Sequence, residues 1–396
     1  MEKIIFHIDV NSAYLSWSAA ENLKNNPDCL DLRTVPSIIG GDQDSRHGVV
    51  LAKSLPAKAF HIKTGEPIVN ALRKCPHLLI EPANHKLYRN YSKKMIDYLK
   101  SLTPALEQVS VDECFLDYTS ISHLYSSPQT AACIIRTSIA SLFGFTVNIG
   151  ISSNKLLAKM ASDFEKPNKT HTLFPHEIKD KMWPLPIENL YMAGKSSVNI
   201  LHKLDIHTIG QLAHTDKNIL SAHLKSHGLL LWKYAIGLGS DILTTSPAQA
   251  KTIGNSTTLS KDIDNLDDAK KILLNLSKRV ASRLQKSKQL AGNLTVEIKY
   301  NTFISVSQQM TLNFPTFEAD TIYQSSIDLF TSLWNGDSIR LLGVRTSKLI
   351  EENAPIQLNL FDIKLPDTKE LVLEKSLESI RKKYGKNIIK KGSSLL

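Results

Sequence analysis

The chain has 396 residues, 42% of them hydrophobic, with 48 Lys and Arg against 38 Asp and Glu for a formal net charge of +10. That length exceeds one ordinary core and predicts several domains of roughly 100–200 residues each, while the positive balance points to a polyanion as partner, nucleic acid before an anionic membrane surface. Four scattered cysteines (Cys29, Cys75, Cys114, Cys133) and 13 unclustered histidines argue against a disulfide framework or structural zinc and fit a reduced cytoplasm, and no run approaches the roughly 18 apolar residues of a membrane span or the apolar core of a signal peptide.

"KIIFHIDV", Lys3 to Val10, reads as a core strand ending in Asp9, and in the following "NSAYLSWSAAENL" Asn11 or Ser12 can cap a helix. A carboxylate at a strand end beside a helix N-terminus suits phosphate or metal chemistry. From Val35 to Pro67 the pattern predicts short strands and turns, with loops at "GGDQD" (40–44) and "KTGEP" (63–67). A helix is expected from about Lys86 to Leu102.

"QVSVDECFLDYT", Gln108 to Thr119, reads as a buried strand carrying an adjacent acidic pair, Asp112 and Glu113. Burying unpaired carboxylates costs several kcal/mol, and neighbours on a strand face opposite ways, so a strand end or bulge is expected where both acids turn to one place. "GFTVNIGIS" is a further strand, and "SSNKLLAKMASDFEK" a capped helix with Leu156, Leu157, Met160 and Ala161 at helical spacing. The first third thus alternates strands and helices like one α/β or α+β sheet domain.

After "KPNKT" come short helices, and "MAGKSSVNILHKLDIHTIGQLA" (Met192 to Ala213) reads either as a helix-hairpin-helix that presents amides to a phosphate or as an ordinary small bundle. "GLGSDILTTSPAQA" has linker composition. Beyond it, the amphipathic "LDDAKKILLNLSKRVASRLQKSKQ" and the strands "LTVEIKYN" and "SIRLLGVRTSKLI" predict a separate basic α+β domain. In the tail, "TKELVLEKSLESIRKKYGKN" sets Leu373, Leu377, Ile380 and Tyr384 on one helical face with a basic end.

Asp9, Asp112 and Glu113 are three carboxylates that one sheet can bring side by side. Left unpaired they would raise one another's pKa, so divalent cations are their natural partners; two Mg²⁺ ions roughly 4 Å apart could activate a hydroxyl and hold a leaving phosphate. Lys58 in "SLPAK" and Lys166 in "FEKPN" could neutralise phosphate charge or stand as solvated surface lysines.

"HIDVNSAY", "SVDECFLD" and "GISSNKLLAKMASDFEKPN", in this order, resemble the motifs of the Y-family translesion DNA polymerases, most of all the DNA polymerase IV branch, with "DVNSAY" leaning toward the related mutagenesis polymerases. The resemblance covers nearly the whole chain. It implies an α+β multidomain right-hand polymerase: palm at 1–20 and 74–165, small fingers at 21–73, helical thumb at 166–236, linker at 237–246, α+β little finger at 247–350, and a clamp-binding motif with a basic helical tail at 351–396.

The same resemblance implies low-fidelity primer extension past damaged template bases, with two Mg²⁺ ions held by Asp9, Asp112, Glu113 and the carbonyl of Val10. Asn11, Ser12, Ala13, Tyr14, Lys58 and Lys166 would meet the dNTP, and Tyr14 would be the steric gate under the deoxyribose. Gly194, Lys195, Arg340 and Arg345 would contact primed template DNA, and Gln357, Leu358, Leu360 and Phe361 would dock on the sliding clamp. It further implies a monomer in the bacterial cytoplasm, at the nucleoid, with no membrane partner. Five positions depart from the family pattern: Asn11 replaces a second acid, Ala13 a bulky aromatic, Leu55 the fingers tyrosine, Lys58 an arginine with its bidentate fork, and Met192 the first glycine of the thumb hairpin. A two-metal nuclease would share the acids and the charge but needs no aromatic gate, and a non-catalytic DNA-binding accessory needs no acidic triad.

Overall fold

The computed structural model describes residues 3–41, 48–245 and 249–354, together with 376, 377 and 379. β1 (Ile5–Val10), buried along its whole length, is the central strand of a five-stranded sheet. It runs into α1 (Ala13–Asn25), whose Leu15, Trp17 and Ala19 join the principal core. The cap expected from Asn11 or Ser12 is absent: Ser12 stands at the N-cap with a left-handed φ of 48° and makes no side-chain cap bond, because the chain turns there so sharply that its hydroxyl cannot meet the first helical amides.

β2 (Ser37–Gly40) and β3 (Val50–Lys53) follow, then α2 (Leu55–Ala59), α3 (Ile68–Lys74) and β4 (Leu79–Pro82). The three strands form a small sheet in the order β3-β2-β4, packed on Ile38, Val50, Ile62, Ile68 and Leu78. α2 was not expected among the strands and turns of 35–67; Ser54 caps it by accepting from the Ala57 amide, and Pro56 lies in its first turn. β4 pairs in parallel with β2, so this small sheet runs past residue 73, where the resemblance put the end of the fingers.

The chain returns to the main sheet through α4 (His85–Leu102), β5 (Leu106–Gln108), β6 (Glu113–Asp117), α5 (Pro128–Phe143), β7 (Val147–Ser152), α6 (Lys155–Ser162) and β8 (Thr170–Thr172), giving the order β5-β6-β1-β7-β8. β8 lies beyond residue 165, the expected end of the palm, because it pairs in parallel with β7. The stretch from Gln108 to Thr119 is a hairpin: Gln108 ends β5, the Val109 and Ser110 amides bond to the Glu113 carbonyl, and β6 starts at Glu113. Val109 is 46% exposed for the same reason. α6 lies directly on β7, since a Cβ at Gly150 would sit 2.0 Å from the Ala158 carbonyl oxygen; glycine permits that approach.

α7 (Lys195–Lys203), α8 (Ile209–His214) and α9 (Lys217–Ala235) share a core with Leu157, Met160 and Ile187. Thr208 and Gln211 form a reciprocal capping box at α8. The following segment is tied to the palm sheet by Lys155 N–H to the Ser240 carbonyl (3.0 Å) and Thr244 N–H to Glu107 (2.8 Å). The last domain comprises β9 (Ile253–Ile263), α10 (Leu266–Ser287), β10 (Gln289–Tyr300), β11 (Ser305–Thr316), α11 (Ala319–Leu333) and β12 (Ile339–Glu351), in the sheet order β11-β10-β12-β9. Leu294, Val296, Ile298, Leu342 and Val344 turn one face of that sheet onto the helices. Among the described residues no helix is long and apolar enough to cross a membrane.

Candidate active site

A cavity of about 390 Å³ opens where the end of β1 and the start of α1 face β3, lined by Asp9, Val10, Ser12, Ala13, Tyr14, Leu51, Ala52, Lys53, Thr64 and Asp112. Two aspartates reach it from separate segments because the Val10 amide donates to the Asp112 carbonyl at 3.0 Å, which clamps the hairpin turn against the end of β1. The Asp112 carboxylate accepts from the Ser110 hydroxyl, a bond within its own turn.

Glu113 pairs across the sheet with Asp9 but does not line the cavity. Its carboxylate lies 2.8 Å from Lys159 Nζ and 3.2 Å from His7 Nε2. His7 first, then Lys159, overcome burial and hold its pKa down at about 2, the opposite of the rise expected from three crowded acids. Burial keeps His7 below its ordinary value, and its Nδ1 meets the Ser162 hydroxyl at 2.8 Å. Lys166 ion-pairs with Asp9 and, at 2.8 Å, with Asp163. Burial works against the charges on Lys159 and Lys166, but Asp9 and the other carboxylates around them lift both above the ordinary lysine value. Asp9 and Glu113 are thus neutralised by lysines from α6 and the loop after it, partners that strand spacing could not reveal.

Tyr14, half-buried, stacks on Tyr88 with ring centroids 4.4 Å apart and planes 8° from parallel. The Tyr88 hydroxyl is 3.2 Å from that of Ser18, so the support is itself fixed. Ser12 and Ala13 also line the cavity, but Asn11 is turned away from it. Its Nδ2 donates to Asn148 Oδ1 (3.1 Å), and its Oδ1 accepts from the Thr146 hydroxyl (3.0 Å) and the Asn168 amide (2.9 Å). The Asn11 side chain thus ties the start of β7 to the loop after Lys166, and it does not itself line the cavity. Lys58 sits exposed on α2 beside Leu55, 52% exposed, and neither lines the cavity. Lys53 and Thr64 do, and sequence reasoning missed both; the one available signal was that Lys53 lies two residues beyond Leu51 on the same strand.

Magnesium binds through one or two carboxylates completed by substrate phosphates and water, without a full protein cage. The hard oxygen donors of Asp9, Asp112 and Val10 around one open cavity fit that requirement. Among the described residues no group of three His, Cys, Asp or Glu side chains is drawn together as a cage, and Glu113 is the member held aside.

Away from the cavity, Gly194 is the N-cap of α7, with no side-chain cap and no atom within 4 Å of where a Cβ would stand. No side chain caps the first-turn amides of α7, which begin beside exposed Lys195. Met192 takes a left-handed φ of 69°. In the last domain Arg345, paired with Thr295 and Gly254, is exposed on the sheet face opposite the helices. Arg340 stands at an irregularity in β12 and lies over the Phe303 ring at 4.7 Å, as Lys299 does at 5.0 Å. Gln357 to Phe361 and most of the tail lie outside the described residues.

A palm sheet offering two aspartates to a cavity, a small fingers layer over it, a helical domain and a separate basic α+β domain define a right-hand nucleic-acid polymerase. Residues 8–163 match the model of the impB/mucB/samB family and residues 250–360 that of its C-terminal domain. The chain is 46% identical to a DNA polymerase IV of Clostridium acetobutylicum over 98% of its own length and 97% of that protein's. It is 34% identical to a DNA polymerase IV 1 of Bacillus subtilis over 99% and 93%. A Y-family DNA polymerase chimera shares the fold with a TM-score of 0.74 at 20% identity, covering 88% of this chain and 99% of that one. The chain belongs to the Y-family of translesion DNA polymerases, in the DNA polymerase IV branch.

Proposed function

We propose that this DNA-directed polymerase carries out its metal-dependent nucleotidyl transfer in the cavity between β1, α1 and β3, joining a primer 3′-oxygen to the α-phosphate of a dNTP and releasing pyrophosphate. The supporting observation is that Asp9, Val10, Asp112 and Tyr14 converge on one space. Asp9, Asp112 and the Val10 carbonyl would hold Mg²⁺, two ions in all, with Glu113 joining them once released from Lys159. Bound there, the metal neutralises phosphate charge and makes the primer hydroxyl more acidic.

The chain's own residues do the rest. The Tyr14 ring, backed by Tyr88, would lie under the deoxyribose and exclude a 2′-hydroxyl. Lys166, brought beside Asp9 by the Asn11 network, would exchange its carboxylate partner for a phosphate oxygen. The amides of Gly194 and Lys195 would meet the DNA backbone at an uncapped helix end, and Arg345 with Arg340 would grip it from the little finger, giving affinity that falls with salt and carries little sequence preference. Gln357, Leu358, Leu360 and Phe361 would dock on the sliding clamp. We further infer a monomer that meets primed DNA in the bacterial cytoplasm.

The test is primer extension on a primed template with Mg²⁺ and dNTPs. Elongation is expected, whereas shortening would select a nuclease and no change a DNA-binding accessory. Asp112→Ala should abolish elongation while duplex affinity, which rests on basic contacts elsewhere, stays near the parent's. Near-normal turnover by that variant would overturn the assignment of the acids.

A further inference from the structure

The cations around the acidic sites are largely committed. Lys166 is held by Asp9 and Asp163, Lys159 by Glu113, Lys155 by Glu107, and Lys74 by Glu66 at 2.6 Å. Lys58 and Leu55, at the positions where the resemblance placed the fingers contacts to the triphosphate, lie outside the cavity lining on α2. Lys53, the last residue of β3, lines the cavity that also contains Asp9, Asp112 and Tyr14, and among the described residues it has no ion pair.

We propose that Lys53 is the fingers residue that binds the triphosphate of the incoming nucleotide, in a wall of the cavity that Leu55 and Lys58 do not reach. This rests on the reading of the cavity as the nucleotide site. The location is what the chemistry requires: an anionic chain lying against Asp9 and Asp112 through cations needs opposite charge on its far side, and β3 forms the wall that faces the end of β1. Burial and the nearby Lys58 weaken the hold on the Lys53 proton, and a phosphate would relieve both by supplying the missing counter-charge. Glu66, an acid whose charge acts on Lys53, is ion-paired with Lys74 at 2.6 Å, and among the described residues no carboxylate pairs with Lys53. Thr64 lines the same wall and adds a hydroxyl donor.

The experiment uses the full chain on a dideoxy-terminated primer and template, so that nucleotide binding is read without turnover. Equilibrium affinities for matched dNTP, dNDP and dNMP are measured for the parent, Lys53→Met, Lys53→Arg and the fingers control Lys63→Ala, with thermal unfolding to verify folding and Lys53→Gln in reserve if the Met variant does not fold. Lys53→Met should weaken dNTP binding on the order of tenfold, the value of a charge-assisted contact, and leave dNMP binding unchanged. Lys53→Arg should retain most of the affinity, and Lys63→Ala all of it. Parent-like dNTP binding by Lys53→Met, an equal loss for dNMP, or the same loss in Lys63→Ala would each overturn the proposal, the second by placing Lys53 on the sugar or base and the third by reducing it to a diffuse field. Failure of the parent to extend an ordinary primer would instead strike the function of the cavity itself.

Discussion

Replacing Asn11 by the acid usual in its family should damage this protein, because Asn148 cannot adapt. Asn148 Nδ2 donates to the carbonyls of Ser162 (3.0 Å) and Glu165 (2.6 Å), and its Oδ1 already accepts from the Lys169 amide (3.1 Å). The amide is therefore pinned with its oxygen toward Asn11. Asn11→Asp keeps the acceptor for Thr146 and Asn168 but sets a carboxylate oxygen against that fixed oxygen, in a site where Asn11 is 7% exposed. One lost hydrogen bond, about 1 kcal/mol, and an acceptor left buried without a donor, about 1–3 kcal/mol, sum to about 3 kcal/mol. For a domain of this size that lowers Tm by roughly 6–12 °C. Burial opposite an oxygen raises the pKa of the new carboxyl above its unfolded value, so the folded state binds the proton more tightly and the penalty falls as pH falls. Once protonated, the carboxyl can donate to Asn148. Thermal unfolding at pH 8 and pH 5 is the assay, with Asn11→Ala as the reference, since its loss of all three bonds does not depend on pH. A penalty for Asn11→Asp equal at both pH values, or larger at pH 5, would refute the locked orientation of Asn148.

Tyr14→Ala should lower the preference for dNTP over rNTP by tenfold or more, roughly the scale on which a pocket rejects one added group; single-nucleotide kcat/KM with both substrates is the measure, and unchanged selectivity would place the gate elsewhere. Met192→Gly should stabilise the thumb by up to about 1 kcal/mol, since a side chain at positive φ costs about 1–2 kcal/mol and glycine's extra chain entropy returns part of it; Met192 is 51% exposed, so little packing is lost. Calorimetry showing a lower Tm would contradict that account. Substituting Leu360 and Phe361 together by Ala should leave distributive extension on a short template unchanged and remove stimulation by a loaded clamp, whereas full stimulation would exclude the motif as the docking site.

Much of the site was legible because its elements announce themselves locally. The run Ile4 to Val10 is apolar but for His7 and Asp9, so a core strand ending in an acid follows from side-chain alternation and the cost of burying charge, and the acids at 112 and 113 demanded a strand end for the same reason. Three signatures in fixed order then sufficed for the family, because chemistry at a phosphate constrains which residues may stand together in a short stretch. What the tertiary structure decided are relations between segments far apart in the chain. β4 joins the small three-stranded sheet and β8 the five-stranded sheet through parallel pairing, which leaves no turn to mark it. Lys159 and Lys166 reach Glu113 and Asp9 across 46 and 157 positions, reversing the expected repulsion among the acids. The Asn11 side chain is turned from the cavity by partners at 146, 148 and 168, and Lys53 reaches the cavity only because β3 faces the end of β1. Local pattern specifies what each segment can bury; which charge meets which, and what remains free for a substrate, depends on packing that no single segment contains.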